Sequence, residues 1–270
     1  MPELPEVETI VRDLKDIIPG KTIKHIKVLR PNVIRGSKQI FTGKLIGKTF
    51  DTISRRGKNI VAHMNPEFIL VVNLGMTGRL GLQKDTSLFS HPAIHFDLNI
   101  GRTLVYDDVR RFGKLQIYRE EEWSHRSDQL GPEPLSAEYR HTDLHAKLKT
   151  SSSPIRSWLL NQKNVVGIGN IYANESLHLS GIHPQRPSDT ISKTESQLLH
   201  KSLRKILQNA IQNRGTTLRN YRDVSGQEGE NKTQLKIYGR HGQNCLTCST
   251  QVQKIVFSNR SAFLCPSCQR

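Results

Sequence analysis

The chain has 270 residues, enough for one large domain or two ordinary ones, with 40 Lys and Arg against 24 Asp and Glu and a formal charge of +16. An excess of this size calls for a polyanionic partner, and nucleic acid leads over an anionic membrane surface because neither a basic amphipathic helix nor a lipidation signal is present. No run of eighteen apolar residues and no basic-then-apolar leader exists, which excludes a membrane span and a secretory signal and sets the expectation of a cytoplasmic protein.

The first stretch, MPELPEVETI, places prolines at positions 2 and 5 and glutamates at 3, 6 and 8. A helix is predicted over EVETIVRDLKDII, where Val7, Ile10, Val11, Leu14 and Ile17 or Ile18 make one apolar stripe. From about residue 21 to 119 the pattern alternates. KTIKHIKVL, GKLIGKTFDTI, NIVAHM, FILVVNL, AIHFDLNI, RTLVYDD and KLQIY read as short strands punctuated by Gly and Asn-Pro, the signature of an antiparallel sandwich or barrel.

Gly131-Pro132 and Glu133-Pro134 mark a linker, beyond which the period becomes helical. Helices are predicted at DLHAKLK, at PIRSWLLNQ with Pro154 in a first-turn position, and at IYANESLHLSG ending on Gly181. The longest, KTESQLLHKSLRKILQNAIQNRG, has Ser192 and Glu195 spaced as a capping box and Gly215 as a stop. The polar, glycine-punctuated segment that follows is too long for a routine connection. The expected divisions are 1–130, 131–225, a connection at 226–240, and 241–270.

All four cysteines lie in the last division, as Cys245-Leu-Thr-Cys248 and Cys265-Pro-Ser-Cys268 with sixteen residues between the pairs. That spacing matches a tetrahedral structural zinc site, each pair chelating from one turn. Two disulfides or four unrelated thiols are the competing readings, the first disfavoured by a reducing compartment and the second by the spacing. The intervening residues read as two strands with a turn at 258–261, so Arg260 projects from a β-hairpin finger, where it suits a phosphate.

Pro2 raises a separate question of chemistry. Once Met1 is removed, its nitrogen is a secondary α-amine, with a pKa of about 7.7–8.0 against about 10.4 for lysine, so much more of it is unprotonated at neutral pH. Such an amine attacks an electrophilic carbon without the burial a lysine needs. Glu3 stands beside it as a proton donor or shuttle.

MPELPEVETI, the RRGKNI around Lys58, NLGMTGRL, DDVRRFGK, LGPEPL, VGIGNIYANE, GIHP, TTLRNYR, IYGRHG and the four-cysteine finger occur in one order from residue 2 to 268. Together they resemble the bacterial formamidopyrimidine-DNA glycosylases, within the family that also holds endonuclease VIII. The resemblance implies an α+β fold: an N-terminal antiparallel β-sandwich that carries catalysis, a helical domain with a helix–two-turn–helix element, and a C-terminal β-hairpin zinc finger. It implies a monomer acting on double-stranded DNA with oxidised purines or abasic sites, which lies between two lobes with the damaged base flipped out, and one structural Zn2+ on Cys245, Cys248, Cys265 and Cys268.

The implied activity is a bifunctional glycosylase and abasic-site lyase of base excision repair. Pro2 attacks C1′, Glu3 protonates the sugar ring oxygen, Lys58 is the general acid of β-elimination, and Arg260 holds the phosphate and assists δ-elimination. Met76, Arg110 and Phe112 fill the void and serve the orphaned cytosine. Asn170, with Lys163 and Tyr238, holds phosphate. Glu6 orders the site, and Glu175 and the 226–234 loop close over the extruded base. Asn73 and Ala93 stand where relatives have histidines, leaving His95 and His91 nearby as DNA contacts. Two rival readings are an endonuclease VIII-like enzyme for oxidised pyrimidines and a non-enzymatic zinc-finger DNA-binding protein.

Overall fold

The computed structural model describes residues 2–65 and 67–270, so Met1 and the proline of the Asn65-Pro66 turn signal lie outside the described residues. The chain forms two compact units, one of Met1–Gln129 with Asn213–Lys232 and one of Leu130–Gln212 with Thr233–Arg270.

The first unit is the expected antiparallel sandwich. Helix α1 (Leu4–Lys15) starts two residues earlier than its apolar stripe suggests, because Pro5 falls in the first turn, where a backbone N–H has no helical partner to lose. Val7, Ile10, Val11 and Leu14 are buried as predicted, and of the two isoleucines Ile18 is the buried one. One sheet runs β1 (Ile23–Val28), β6 (Pro92–Leu98), β7 (Thr103–Asp108), β5 (Gly78–Gln83) in spatial order. The other runs β2 (Thr49–Arg56), β3 (Asn59–Asn65), β4 (Phe68–Asn73), β8 (Lys114–Tyr118). Inward residues of both sheets, among them Phe50, Leu70, Leu80 and Phe96, join the α1 stripe in one core.

Three elements depart from the alternating pattern. Gly43–Leu45, read above as the start of a strand, ends a helix instead: α2 (Lys38–Leu45) is capped by the Ser37 hydroxyl and buries Phe41 and Leu45 one turn apart. Strand β5, absent from the runs named above, contains Gly78 and Gly81, which interrupt its alternation. Helix α3 (Glu120–Asp128) is almost wholly polar and buries only Trp123, against Val61, Ile69 and Val71 on the outer face of the second sheet. That cover explains why β4 reads as a continuous apolar run: both its faces are enclosed.

The second unit is helical up to the finger, with α4 (His141–Leu148), α5 (Ile155–Leu160), α6 (Asn170–Ser180) and α7 (Lys193–Gln212). Gln162 organises the double turn between α5 and α6: its side chain donates to the carbonyls of Leu160 and Ile168 at 3.0 and 2.9 Å and accepts from the Gly167 N–H at 2.9 Å. Gly181 ends α6 at φ 72°. The α7 capping box forms as predicted: Glu195 accepts from the Ser192 N–H at 2.8 Å, and the Ser192 hydroxyl accepts from the Glu195 N–H at 3.2 Å. The finger is a two-stranded hairpin, β9 (Gln253–Phe257) and β10 (Arg260–Leu264).

Arg186 grips both oxygens of Glu195. That hydrogen bond, only partly offset by burial and aided by Ser192, pulls the carboxyl down from its ordinary 4.5 to about 2. A depressed folded-state pKa gives stability that is present above about pH 4.5 and lost as pH falls toward 2. Helicity followed by circular dichroism through this window is expected to fall less steeply in Glu195→Gln, which is already less stable at neutral pH.

Candidate active site and nucleic-acid interface

Glu3 precedes the first helical residue of α1, and Pro2, Glu3 and Glu6 are all buried. The Glu6 carboxylate joins two distant parts of the chain: one oxygen accepts the Glu3 N–H at 2.8 Å, the other the Thr216 N–H at 2.7 Å. The approach is so close that a Cβ at Gly215, where φ is +82°, would sit 2.9 Å from that second oxygen. Glycine is required there on both counts. Arg214 secures the same segment, donating to both oxygens of Asp13 on α1 at 2.8 and 2.7 Å and to the buried Asp223 at 2.6 Å. The start of α1 and residues 213–223 are thereby one stitched structure.

Lys58 lies in the two-residue turn between β2 and β3, since β2 continues to Arg56 rather than ending at Ile53. The turn is braced from both sides. Arg55 donates to Glu8 of α1 at 2.8 Å and to the Gly57 carbonyl at 3.1 Å, while Arg56 holds Ser127 of α3 through its hydroxyl and carbonyl. Burial raises the Glu8 carboxyl, but bonds from Arg55 and Arg12 outweigh it and leave the group below its ordinary range. One helix therefore positions both Glu3, at its beginning, and the Lys58 turn.

Met76 and Phe112 are exposed at 39 and 53 %, unusual for apolar side chains on a sandwich, and the Arg110 guanidinium covers the Phe112 ring at 4.5 Å. Their loops touch backbone to backbone: a Cβ on Gly75 would meet the Gly113 nitrogen at 2.5 Å, and one on Gly113 would meet the Asn73 carbonyl at 2.7 Å and collide with the Tyr106 hydroxyl. The fully buried Asp108 holds both loops. It accepts from the Thr77 and Tyr106 hydroxyls and from the Arg110 and Gly113 N–H groups at 2.5, 3.0, 3.2 and 2.9 Å. Sequence reading passed over Asp108; its only signal was an acidic pair ending an apolar strand.

Asn73, at a departure from the family pattern, bridges the Asn59 side chain and the Gly75 N–H. Ala93 is buried, and burial lowers the pKa of His95. His91 is exposed, with its N–H bound to Asp107 at 2.7 Å. Beside it lies a cavity of about 140 Å³ lined by Thr77, Arg79, Asp107, Arg219, Asn220 and Arg222. Residues 218–220 are exposed, whereas Gly229, Glu230 and Asn231 of the 226–234 segment are tied to Thr217, Asn213 and Gly215.

In the second unit, Asn170 opens α6 and accepts from Arg156 at 2.6 Å. Both side chains donate to the Ser261 carbonyl, at 3.2 and 2.8 Å, fixing the residue after the exposed Arg260. Arg156 is fully buried and stacked on Phe257 at 4.9 Å; burial, then the charge of Arg260, lowers its pKa to about 10. Two neighbouring cations suit an anion, and Arg156 also escaped the sequence reading. Positive φ at Ser258 and Asn259 makes the tight turn that places Arg260 at the head of β10. Glu175 is buried and accepts the N–H groups of Lys236, Ile237 and Tyr238; burial raises its carboxyl against the pull of these three bonds. The Tyr238 ring meets Phe263 edge-on at 5.1 Å, and Lys163 is exposed.

The four cysteine sulfurs lie within 4.8 Å of one another, a donor set suited to one tetrahedral zinc ion. With all four positions taken by protein, such an ion orders the finger and has no open site for catalysis.

A β-sandwich with a stitched N-terminus, a helix–two-turn–helix unit and a four-thiolate finger define a zinc-finger DNA glycosylase of base excision repair. The family models agree: the formamidopyrimidine-DNA glycosylase N-terminal domain matches residues 1–115, its H2TH domain 130–222, and the zinc finger found in FPG and IleRS 242–270. The chain belongs to the formamidopyrimidine-DNA glycosylase family. It is 40 % identical to the Desulforamulus reducens formamidopyrimidine-DNA glycosylase over 100 % of this chain and 99 % of that one, and 36 % identical to the Bacillus subtilis protein over 100 and 99 %. Among solved structures it resembles a Lactococcus lactis FPG mutant in complex with Fapy-dG DNA, with TM-score 0.93 and 33 % identity over all of both chains. The Lactococcus lactis Fpg complex with abasic-site DNA gives TM-score 0.93 and 33 % identity over 99 % of each.

The loop contact yields a stability prediction. Gly113→Ala forces a methyl group against buried backbone and is expected to destabilise the first unit by about 1–3 kcal/mol, read as a lower midpoint in calorimetry; an unchanged midpoint contradicts the close approach.

Proposed function

We propose that this DNA glycosylase removes oxidised purines, 8-oxoguanine and formamidopyrimidines, from duplex DNA in the cytoplasm and then cuts the strand by β,δ-elimination, with the Pro2 nitrogen as nucleophile. The observation that carries the reading is the convergence of two braces on α1: Glu6 fixes the N-terminal residues against Thr216, and Arg55 fixes the Lys58 turn against Glu8.

With Met1 removed, the Pro2 lone pair bonds to C1′ as the C1′–N9 bond breaks and its electrons leave with the base. Glu3 delivers a proton to the ring oxygen, which opens the sugar and leaves an iminium. Loss of a C2′ proton then expels the 3′ phosphate, with Lys58 as general acid. Loss of the C4′ proton drives the second elimination, which expels the 5′ phosphate held by Arg260, and water then frees Pro2 from the remaining fragment. Met76 and Phe112 take the stacking space of the extruded base, and Arg110 pairs with the orphaned cytosine. Asn170, Lys163, Tyr238 and His91 contact the DNA backbone. Among the described residues no helix is long and apolar enough to cross a membrane, consistent with a protein that meets the chromosome directly.

Borohydride reduction with an abasic oligonucleotide is expected to link the wild type covalently, with the adduct on Pro2 and no Met1 in the intact mass; Pro2→Gly should trap poorly. An adduct on another residue removes Pro2 from the mechanism. Excision of 8-oxoguanine opposite cytosine should outpace that of thymine glycol, and the reverse order favours the endonuclease VIII-like reading. Affinity for abasic duplex should fall steeply with salt as phosphate contacts release counterions; a flat response contradicts a DNA-tracking surface.

A further inference from the structure

One face of α6 carries polar residues that meet the finger and the segment leading into it. Asn170 bonds the Ser261 carbonyl, Asn174 accepts the Phe263 N–H at 2.8 Å, and Glu175 holds 236–238. His178, one turn beyond Asn174, is 8 % exposed, and its Nε2 lies 3.5 Å from the Cys245 Sγ. None of the proposed catalytic steps uses it.

The direction of this contact follows from the metal. A thiolate that binds zinc carries no proton, so the hydrogen between nitrogen and sulfur belongs to the imidazole. Cys245 is itself only 2 % exposed, which leaves little room for water to take that place. The Thr247 N–H lies 3.4 Å from the same sulfur and the Cys248 N–H also donates to it, so His178 is the side-chain donor beside two backbone ones. Four thiolates around one dication leave a net charge of −2, and each donated hydrogen bond draws off part of it. The hydrogen bond also fixes the sulfur in place, so that it leaves the ion less readily. The other three sulfurs have no histidine within reach among the described contacts.

We propose that His178 donates its Nε2–H to the zinc-bound Cys245 thiolate, tying the metal site to the helix that opens with Asn170 and slowing loss of the ion. This assignment concerns the finger alone and does not depend on the glycosylase mechanism. In the full-length zinc-loaded protein, His178→Phe keeps an aromatic ring but removes the donor, while His178→Gln keeps an N–H at similar reach. Zinc transfer to a chromophoric chelator at neutral pH is expected to be about tenfold faster or more in the phenylalanine variant, in the range that loss of such outer partners produces. The glutamine variant is expected to stay close to wild type. After cobalt substitution, the thiolate-to-metal charge-transfer band should move to lower energy in the phenylalanine variant only. A wild-type release rate and band in His178→Phe overturn the proposal, as does a glutamine variant that releases zinc as fast as the phenylalanine variant. If His178→Phe does not fold, the glutamine variant decides: a wild-type rate and band support the donor, and loss of both overturns it.

Discussion

The Glu6 carboxylate is the constraint on which the first unit depends. A buried carboxylate is costly unless hydrogen-bonded, and this one accepts the Glu3 and Thr216 amides, one on each oxygen. Two chain segments 210 residues apart are therefore fixed by one side chain. Everything placed near the N-terminus inherits that precision. Gly215 accommodates the approach, Tyr221 donates its hydroxyl to the Arg214 carbonyl at 3.1 Å, and the Asp13–Arg214–Asp223 ion network repeats the tie a few ångströms away.

The same device recurs elsewhere. Asp108 gathers the Met76 and Phe112 loops, and Glu175 gathers three amides ahead of the finger. In each case one buried carboxylate collects backbone donors from a loop that would otherwise be irregular. The side chains assigned to DNA are then free to stay exposed: Met76, Phe112, Arg110 and Arg260 all present themselves to solvent from loops or turns with fixed backbones. Preorganisation of this kind suits the proposed wedge, which would enter a duplex without first having to order itself.

Much of this was legible in the sequence, for identifiable reasons. Period-two strands, the α1 stripe, the Ser192–Glu195 box, the Gly181 stop and the paired cysteines are local signals, and each is present, although α1 begins two residues early and the run at 43–53 starts in a helix. The misses are of two kinds. Glycines in β5 and α2 and the nearly unbroken polarity of α3 hid regular elements whose support is tertiary. The other misses are partners distant in sequence: Thr216 for Glu6, Asp108 for two loops, and the buried Arg156 for Asn170 and Ser261. The grouping of 213–232 with the sandwich belongs here too, since nothing local announces that Tyr221 and Val224 enter its core. Side-chain identity suggested the chemistry at Pro2, and the family resemblance the role of Lys58, but the distant partners that brace each were invisible.

The long separation between Glu6 and Thr216 also has a meaning in time. During synthesis the amino end leaves the ribosome first, and the amide that will pin it follows 210 residues later. At about 5–20 residues per second, that is an interval on the order of 10–40 seconds. Until then the Glu6 oxygen that Thr216 will occupy lacks that amide. The tie between the amino end and the 213–223 segment is therefore among the later contacts of this unit to form, set by synthesis order rather than by the strength of the bond.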